Sequence, residues 1–161
     1  MTKVLYPGSF DPITKGHMNI IEQASQLFDE VIIGILINPN KRNSMFSISE
    51  RVELIKELYK DIENIKVISA TGAATDLAIL QGCGAIVRGL RNISDFDYEI
   101  QLAQINRQIS DGKINTICLF ADSSLQSVSS SMVKEIFNLG KNISPYVDTL
   151  VQEKMLVKRY E

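Results

Sequence analysis

The residues best suited to chemistry fall in three stretches, and the first of these contains the only histidine of the chain. Gly8 and Ser9 follow a short apolar run, and His17 comes directly after Gly16 at the start of a helical pattern. A loop that leads from a strand into a helix presents backbone amides, here together with a hydroxyl, to an anion. Glycine at this point permits close approach of a ligand or of backbone. This stretch therefore predicts a phosphate site with an imidazole beside it.

Two interpretations of His17 compete. It lies on the same helical stripe as Ile20, Ile21 and Ala24, so its ring should face inward at the open end of the sheet. Stripe position alone favours a core histidine whose nitrogens are satisfied inside the protein. The glycines and hydroxyls of the same strand-to-helix junction, which include Thr14, favour a functional imidazole instead.

A second stretch follows a predicted fourth strand and carries Arg88, Gly89 and Arg91. Two guanidinium groups that flank a glycine form a clamp for phosphate. The alternative is structural, because either arginine could pair with Asp95 or Glu99 a few residues further along. For an arbitrary arginine-rich loop, these ion pairs would be the better interpretation.

The third stretch is rich in serine and leads into a predicted helix; it reads SSLQSVSSS over residues 123–131. Hydroxyls and free amides at a helix N-terminus stabilise anionic oxygens. An ordinary N-cap explains one of these serines but does not require three in succession. Lys41 and Arg42, after the second predicted strand, would on their own be interpreted as a solvated surface pair.

Alternating strands and helices must position these stretches. Hydrophobic periodicity and turn residues predict strands at residues 3–6, 31–37, 65–69, 84–88 and 116–120. They predict helices at residues 16–28, 47–59, 73–80, 94–109, 129–139 and 147–160, and Ser47 with Glu50 forms a capping box at the second. This order indicates an α/β fold, a Rossmann-like doubly wound sheet of five parallel strands with helices on both faces. Ligands bind such sheets at the carboxyl ends of the strands.

Composition limits the classes of function. The 161 residues, 45% of them hydrophobic, are enough for one compact domain over residues 1–161. With 17 basic and 19 acidic residues dispersed along the chain, no surface for nucleic acid is expected. Apolar runs too short for a bilayer, and no signal-peptide pattern, indicate a cytoplasmic protein without a membrane partner. Cys83 and Cys118 have neither metal-site nor redox-pair spacing, so we expect two reduced thiols.

All three stretches resemble motifs of one superfamily. GSFDPITKGH, at residues 8–17, resembles the nucleotide-binding signature of the nucleotidylyltransferases, whose members carry (H/T)xGH after the first strand. RGLRNISDFDYE, at residues 88–99, is similar to the motif RGLRxxxDxxYE that distinguishes the phosphopantetheine adenylyltransferases within the superfamily. SSSMVKE, at residues 129–135, is similar to their third motif, (I/V)SSSxVKE. The resemblance extends from about residue 4 to residue 137 and favours the phosphate clamp over structural ion pairs.

The resemblance implies transfer of AMP from ATP to 4'-phosphopantetheine, with release of pyrophosphate and dephospho-coenzyme A. It implies catalytic roles for His17, Ser9, Lys41 and Arg91. The implied phosphopantetheine-binding residues are Ser9, Lys41, Ala74 and Arg88. The implied ATP-binding residues are Ser9, Phe10, His17, Gly89, Leu90, Arg91, Glu99, Ser124, Leu125, Gln126, Ser127, Val128, Ser129 and Ser130.

The resemblance also implies Mg²⁺ brought with ATP, no metal site made by protein alone, and a homo-oligomer, hexameric in relatives. Ser9 stands where many relatives have threonine, which preserves the hydroxyl, and residues 71–74 replace a bulkier apolar stretch. Two other functions share the first motif. One is a nucleotidylyltransferase with another acceptor, such as a cytidylyltransferase or a nicotinate-mononucleotide enzyme. The other is a nucleotide-sensing protein without chemistry.

Overall fold

The structure is a computed structural model that describes residues 1–37 and 44–160. Its strands are β1 (Lys3–Gly8), β2 (Glu30–Ile37), β3 (Ile65–Thr71), β4 (Ala85–Leu90) and β5 (Asn115–Phe120). Its α-helices are α1 (Lys15–Leu27), α2 (Ile48–Leu58), α3 (Ala74–Leu80), α4 (Ile93–Ile109), α5 (Ser130–Asn138) and α6 (Thr149–Tyr160). A short 3₁₀ helix at Ser123–Leu125 precedes α5. The predicted alternation of strands and helices is confirmed.

The strands form a parallel sheet in the order β3-β2-β1-β4-β5, so the chain first builds outward from β1 and then crosses to its other side. The order reverses between β1 and β4, where these strands pair only at Val4 and Leu5. Beyond Leu5, β1 continues to Gly8 along β2 alone. Pro7 is tolerated there because the missing N–H is not needed by a second neighbour. The separation of the two strands leaves a crevice at their carboxyl ends.

Helices cover both faces of the sheet, as predicted, and β1 shows how. Val4 and Tyr6 belong to a large buried cluster with residues of α1, α2, α5 and α6. Leu5 points the other way, into a smaller cluster with Leu77 and Ala78 of α3. Neighbouring residues of a strand alternate between faces, so a strand buried on both sides must be apolar throughout. This explains the continuous β-branched run of β2.

Local signals in the sequence set most helix boundaries. The hydroxyl of Ser47 accepts from the amide of Glu50, and the carboxylate of Glu50 accepts from the amide of Ser47, so the predicted capping box is formed.

Strands β1 and β4 each extend two residues past their predicted ends, to Gly8 and Leu90, because pairing with β2 and β5 continues. Cys83 and Cys118 are free thiols. No helix in the described part of the chain has the length and apolar character to cross a bilayer.

Candidate active site

The crevice between β1 and β4 holds a cavity of about 450 Å³. It brings together ten of the residues predicted to form the site: Ser9, Phe10, His17, Arg88, Gly89, Arg91, Glu99, Val128, Ser129 and Ser130. They come from the ends of two neighbouring strands and from the starts of three helices. The three stretches, widely separated in the sequence, therefore meet in one place. Tyr6, Asp95 and Tyr98 line the same cavity but are not among the predicted ligand-binding residues; of these, the sequence marks only Asp95, as a possible ion-pair partner of an arginine.

His17 is held at the start of α1 by a capping box. Thr14 is the N-cap, and its hydroxyl accepts a hydrogen bond from the amide of His17. In return, the amide of Thr14 donates to Nδ1 of the imidazole at 3.0 Å. An Nδ1 atom that accepts a hydrogen bond carries no proton, so in the neutral ring the proton is on Nε2. The imidazole thus offers one N–H donor, and its cap fixes the orientation of the ring.

Electrostatics keep this ring neutral. Burial first, and then the positive charges of Arg91 and Arg88, lower the pKa of His17 to about 4. Below that pH the ring gains a proton at the expense of the Thr14 hydrogen bond. At neutral pH, His17 is therefore a hydrogen-bond donor and not a source of protons. A neutral donor of this kind can stabilise negative charge that develops on a phosphate oxygen.

Phe10 supports the imidazole from the side. Its ring meets His17 edge-on at 5.1 Å between centroids, and Tyr6 edge-on at 5.5 Å. Phe10 has a φ of 47°, an uncommon conformation for a residue with a side chain. Its ring lies so close to Gly8 that a Cβ there would stand 2.9 Å from Cζ. Gly8 therefore allows Phe10 to fold back beneath the imidazole.

Arg88 and Glu99 form a bidentate ion pair beside the cavity. Nε and Nη2 of Arg88 donate to the two carboxylate oxygens of Glu99 at 2.8 and 2.7 Å. Burial acts against the charged guanidinium, but the Glu99 carboxylate outweighs it and raises the pKa of Arg88. Within the described residues, Nη1 of Arg88 has no hydrogen-bond partner. The ion pair and a phosphate contact are thus compatible, since each uses a different edge of the guanidinium.

Arg91 is held less firmly. Its Nε donates to Asp95 at 3.2 Å and its Nη1 to the carbonyl of Val128 at 3.4 Å, and its side chain is 38% exposed. The Val128 contact links the α4 loop to the segment before α5. Between the two arginines lies Gly89, where an added Cβ would meet Cγ1 of Ile20 at 3.0 Å. Gly89 therefore permits α1 to pack closely over β4.

The serine-rich segment provides a helix start whose hydroxyls already have partners. Ser129 is the N-cap of α5 and accepts from the amide of Met132. Ser130 donates its hydroxyl proton to the carbonyl of Pro12 at 2.7 Å. The first amides of a helix have no partner within the helix. The groups of α5 best placed to bind an anion are therefore backbone N–H groups more than the Ser130 hydroxyl.

Some predicted residues do not line this cavity. Leu90 and Gln126 line an adjoining pocket of about 310 Å³ together with Arg91. Ala74 begins α3 and packs against the smaller core cluster. Neither cavity includes Ala74 or three residues of the 123–131 segment, which are Ser124, Leu125 and Ser127. Lys41 lies outside the described residues.

The fold and the site define a nucleotidyltransferase of the cytidylyltransferase-like class, whose family model matches residues 5–136. A phosphopantetheine adenylyltransferase of Heliobacterium modesticaldum is 44% identical over 158 residues, 98% of this chain and 93% of the relative. One of Caldanaerobacter subterraneus is 42% identical over 158 residues, 98% of each chain. The chain belongs to the phosphopantetheine adenylyltransferase family.

Comparison with solved structures supports the fold independently. A crystal structure of a candidate nicotinate-nucleotide adenylyltransferase from Vibrio parahaemolyticus matches with a TM-score of 0.68 at 21% identity. The match covers 97% of this chain and 93% of that one. At this identity the comparison carries the fold alone, which is the one predicted from the sequence.

Proposed function

We propose that the protein transfers the AMP part of ATP to 4'-phosphopantetheine, which yields dephospho-coenzyme A and pyrophosphate, a step of coenzyme A biosynthesis. Membership of the family supports this assignment. The observation that carries it is the position of His17, which lines the same cavity as two arginines and the start of α5 and whose Nδ1 is taken up by the amide of Thr14. A triphosphate and an acceptor phosphate are the ligands that such a donor set suits.

The reaction needs no general base. The nucleophile is an oxygen of the acceptor phosphate, already largely ionised near neutral pH because the second pKa of a phosphomonoester is about 6. It forms a bond to the α-phosphorus of ATP while the bond from that phosphorus to the leaving pyrophosphate oxygen breaks. Two tasks remain for the protein: alignment of two anions that repel each other, and stabilisation of charge on the α-phosphate.

We assign these tasks by position in the cavity. His17 donates from Nε2 to an oxygen of the α-phosphate, and its neutral state at pH 7 suits a donor that keeps its proton. Ser9 and the free edge of Arg88 hold the acceptor phosphate, together with Lys41 by resemblance to the family. Arg91, Ser129 and the amides of α5 face the pyrophosphate.

The same assignment gives Glu99 a changed role. Sequence resemblance implied that it touches the nucleotide, and its two carboxylate oxygens accept from Arg88. It therefore orients the guanidinium that faces the phosphate. The adjoining pocket at Leu90, Phe96, Phe120 and Gln126 is apolar enough to receive a base, which fits the predicted contacts of Leu90 and Gln126 with ATP.

The cofactor we propose is a magnesium ion that arrives with ATP. Asp95 and Glu99 are each paired with an arginine, and the described residues contain no group of three His, Cys, Asp or Glu side chains spaced to hold a metal. Mg²⁺ would be held by the β- and γ-phosphates and water, where it shields their charge.

The localisation we propose is the cytoplasm. The free thiols of the chain fit this compartment, because it is reducing.

A homo-oligomer, a hexamer by resemblance, is the assembly we propose. Its support is a set of large apolar side chains that α4 exposes outside the cavity and the adjoining pocket. They are Ile100, Ile105 and Ile109. Exposed apolar patches of this kind mark surfaces that associate. Sedimentation velocity would measure the assembly directly.

The decisive experiment is an assay of purified protein with ATP, Mg²⁺ and 4'-phosphopantetheine, followed by mass spectrometry for dephospho-coenzyme A. We expect product and pyrophosphate in equal amounts. CTP as donor, and nicotinate mononucleotide as acceptor, should give far slower turnover. Turnover with one of these alone would assign another nucleotidyltransferase activity. Tight ATP binding without turnover on any acceptor would indicate a nucleotide sensor and contradict the proposal.

A further inference from the structure

A buried guanidinium just outside the cavity holds the loop that carries Ser9. Arg51, in α2, is 5% exposed. Its Nη1 donates to the carbonyl of Ser9 at 3.1 Å, and its Nε and Nη2 donate to the carbonyl of Phe46 at 2.9 and 2.7 Å. One side chain thus joins the loop after β1 to the chain that enters α2. The planar fork of arginine can reach two carbonyls at once, which a lysine ammonium on a flexible stem does less well.

Asp11 completes the connection. Its carboxylate, 6% exposed, accepts from the amides of Met45 and Phe46, both at 2.9 Å. Oδ1 lies 3.6 Å from Nε of Arg51, and Oδ2 lies 3.5 Å from Nζ of Lys134 in α5. Two cations and two amides therefore surround one carboxylate. Its negative charge, which would otherwise repel an anion held by the neighbouring Ser9, is compensated.

The network formed by Arg51 and Asp11 lies next to residues that line the cavity. Ser9 lines the cavity, and its carbonyl accepts from Arg51. Phe10, the next residue, packs on the ring of His17. A group that fixes the peptide between them sets the position of the hydroxyl and supports the imidazole, without itself lining the cavity. Misplacement of a reacting group by about 1 Å can cost roughly a hundredfold in rate.

We propose that Arg51 is a positioning residue that sets the Ser9 loop to receive the acceptor phosphate. The inference rests on the proposed function, because it takes 4'-phosphopantetheine as the ligand of Ser9. It predicts a selective effect. The acceptor, which meets the Ser9 loop, should depend on Arg51 more than ATP does, since Arg51 donates directly to the Ser9 carbonyl but is linked to α5 only indirectly, through Asp11 and Lys134.

The test is steady-state kinetics of Arg51→Lys with each substrate varied in turn. We expect KM for 4'-phosphopantetheine to rise about tenfold while KM for ATP changes less than about threefold. Arg159→Lys is the matched control, since Arg159 also donates to a backbone carbonyl, that of Phe137 at 2.7 Å, but lies in α6. It should leave both KM values within about twofold of wild type. An equal rise in both KM values for Arg51→Lys would overturn the proposal.

A double-mutant cycle with Ser9→Ala separates positioning from general support of the fold. If Arg51 acts through the Ser9 hydroxyl, Arg51→Lys should change KM for the acceptor little, less than about threefold, once that hydroxyl is absent. Additive effects of the two substitutions would overturn the proposal. Arg51→Gln is a second variant in case Arg51→Lys does not melt cooperatively. Failure of both to fold would make Arg51 a folding residue and also overturn it.

Failure of this inference can be told from failure of the proposed function. The wild-type protein is assayed first, and absence of dephospho-coenzyme A would reject the function itself. Turnover by the wild type without a selective effect in Arg51→Lys would reject only the positioning role.

Discussion

The two ends of the cavity present different kinds of hydrogen-bond donor. At the start of α1, the donor is a neutral imidazole whose ring is fixed by the Thr14 cap and by the ring of Phe10. At the α4 end, where β4 leads into α4, the donors are the guanidinium groups of Arg88 and Arg91, each paired with a carboxylate of α4. The donor at the first end has a fixed orientation and no charge. The donors at the second end are charged, and acidic neighbours hold them in place.

This difference matches the two tasks of phosphoryl transfer. Charge that develops only in the transition state is best met by a donor that is already oriented and pays no desolvation of its own charge. Charge that is present in both the substrates and the transition state is met by cations, which contribute mainly to binding. The comparison therefore predicts that changes at the α1 end alter kcat, and that changes at the α4 end alter binding and stability.

The largest effect should come from His17→Ala. Loss of the Nε2–H donor should lower kcat by about 10²–10³, the range for one oxyanion-type donor, with much less effect on KM for ATP. Stopped-flow or quenched-flow kinetics at saturating ATP and acceptor would measure the change in kcat. A kcat within about threefold of wild type would show that His17 is structural, and the comparison between the two ends would fail.

His17→Gln is the control for the cap. Glutamine at the third position of a helix closes a capping box with the N-cap residue, so this variant keeps the start of α1 folded while it removes the ring. We expect a melting temperature close to that of the wild type together with a lowered kcat. Wild-type activity in the glutamine variant, with loss in the alanine variant, would assign the effect to the cap.

The two arginines of the second end should differ from each other in stability. Arg88→Gln leaves Glu99, with a side chain 6% exposed, without its bidentate partner, and should cost about 2–3 kcal/mol of unfolding free energy. Arg91→Gln breaks a pair whose side chains are 38% and 22% exposed, and should cost less than about 1 kcal/mol. Urea unfolding at neutral pH measures both.

A double variant, Arg88→Gln with Glu99→Gln, tests whether the unpaired carboxylate of Glu99 causes the loss of stability. Removal of the orphaned charge should restore part of the lost stability, because an uncompensated buried carboxylate accounts for most of the loss. Equal losses in Arg88→Gln and Arg91→Gln would show that burial of the pair does not govern its contribution.

Much of the fold, and the cap at the start of α1, could be predicted from local patterns in the sequence. The continuous β-branched run of β2 and the apolar stripes of the helices depend on periods that one sequence shows directly. The His17 cap also had a signal, since Thr14 and His17 have the spacing of an N-cap and its third helical residue. The stripe predicts an imidazole that faces inward at the open end of the sheet, where His17 lines the cavity, and the tautomer follows from the hydrogen bond of the Thr14 amide to Nδ1.

The rest depends on contacts that no local pattern contains. Arg51 meets Ser9 across 42 positions of sequence, and Ser130 meets Pro12 across 118. A single sequence gives no reason to pair them. From the sequence, a phosphate clamp and structural ion pairs are alternatives, but the guanidinium of Arg88 has one edge on Glu99 and another free of partners among the described residues. Only the geometry makes the two interpretations compatible.

The smallest predicted effect is the most specific to the α1 end, because His17 is the only imidazole of the chain. Its pKa of about 4 means that the ring resonances should shift by only about a tenth of their full titration change between pH 8 and pH 5 in NMR spectra of the free protein. Any loss of activity near pH 6 would then belong to the phosphates of the substrates, which gain protons there. A ring pKa near 6.5 would instead indicate a solvated imidazole and remove the distinction between a neutral and a charged end.

The same shift has a defined sign for stability. The pKa in the folded protein, about 4, lies below the value of 6.5 for an unperturbed histidine, so between these values the unfolded chain binds the extra proton. The contribution of His17 to the free energy of unfolding is therefore fully present above about pH 6.5. It decreases, by at most about 1.4 kcal/mol per pH unit, as the pH falls toward 4. Melting temperatures of the wild type and His17→Gln, compared from pH 7 to pH 4, isolate this contribution from that of the carboxylates. The wild type should lose more stability than the variant over this range, since only the wild type carries the imidazole that the folded state keeps neutral.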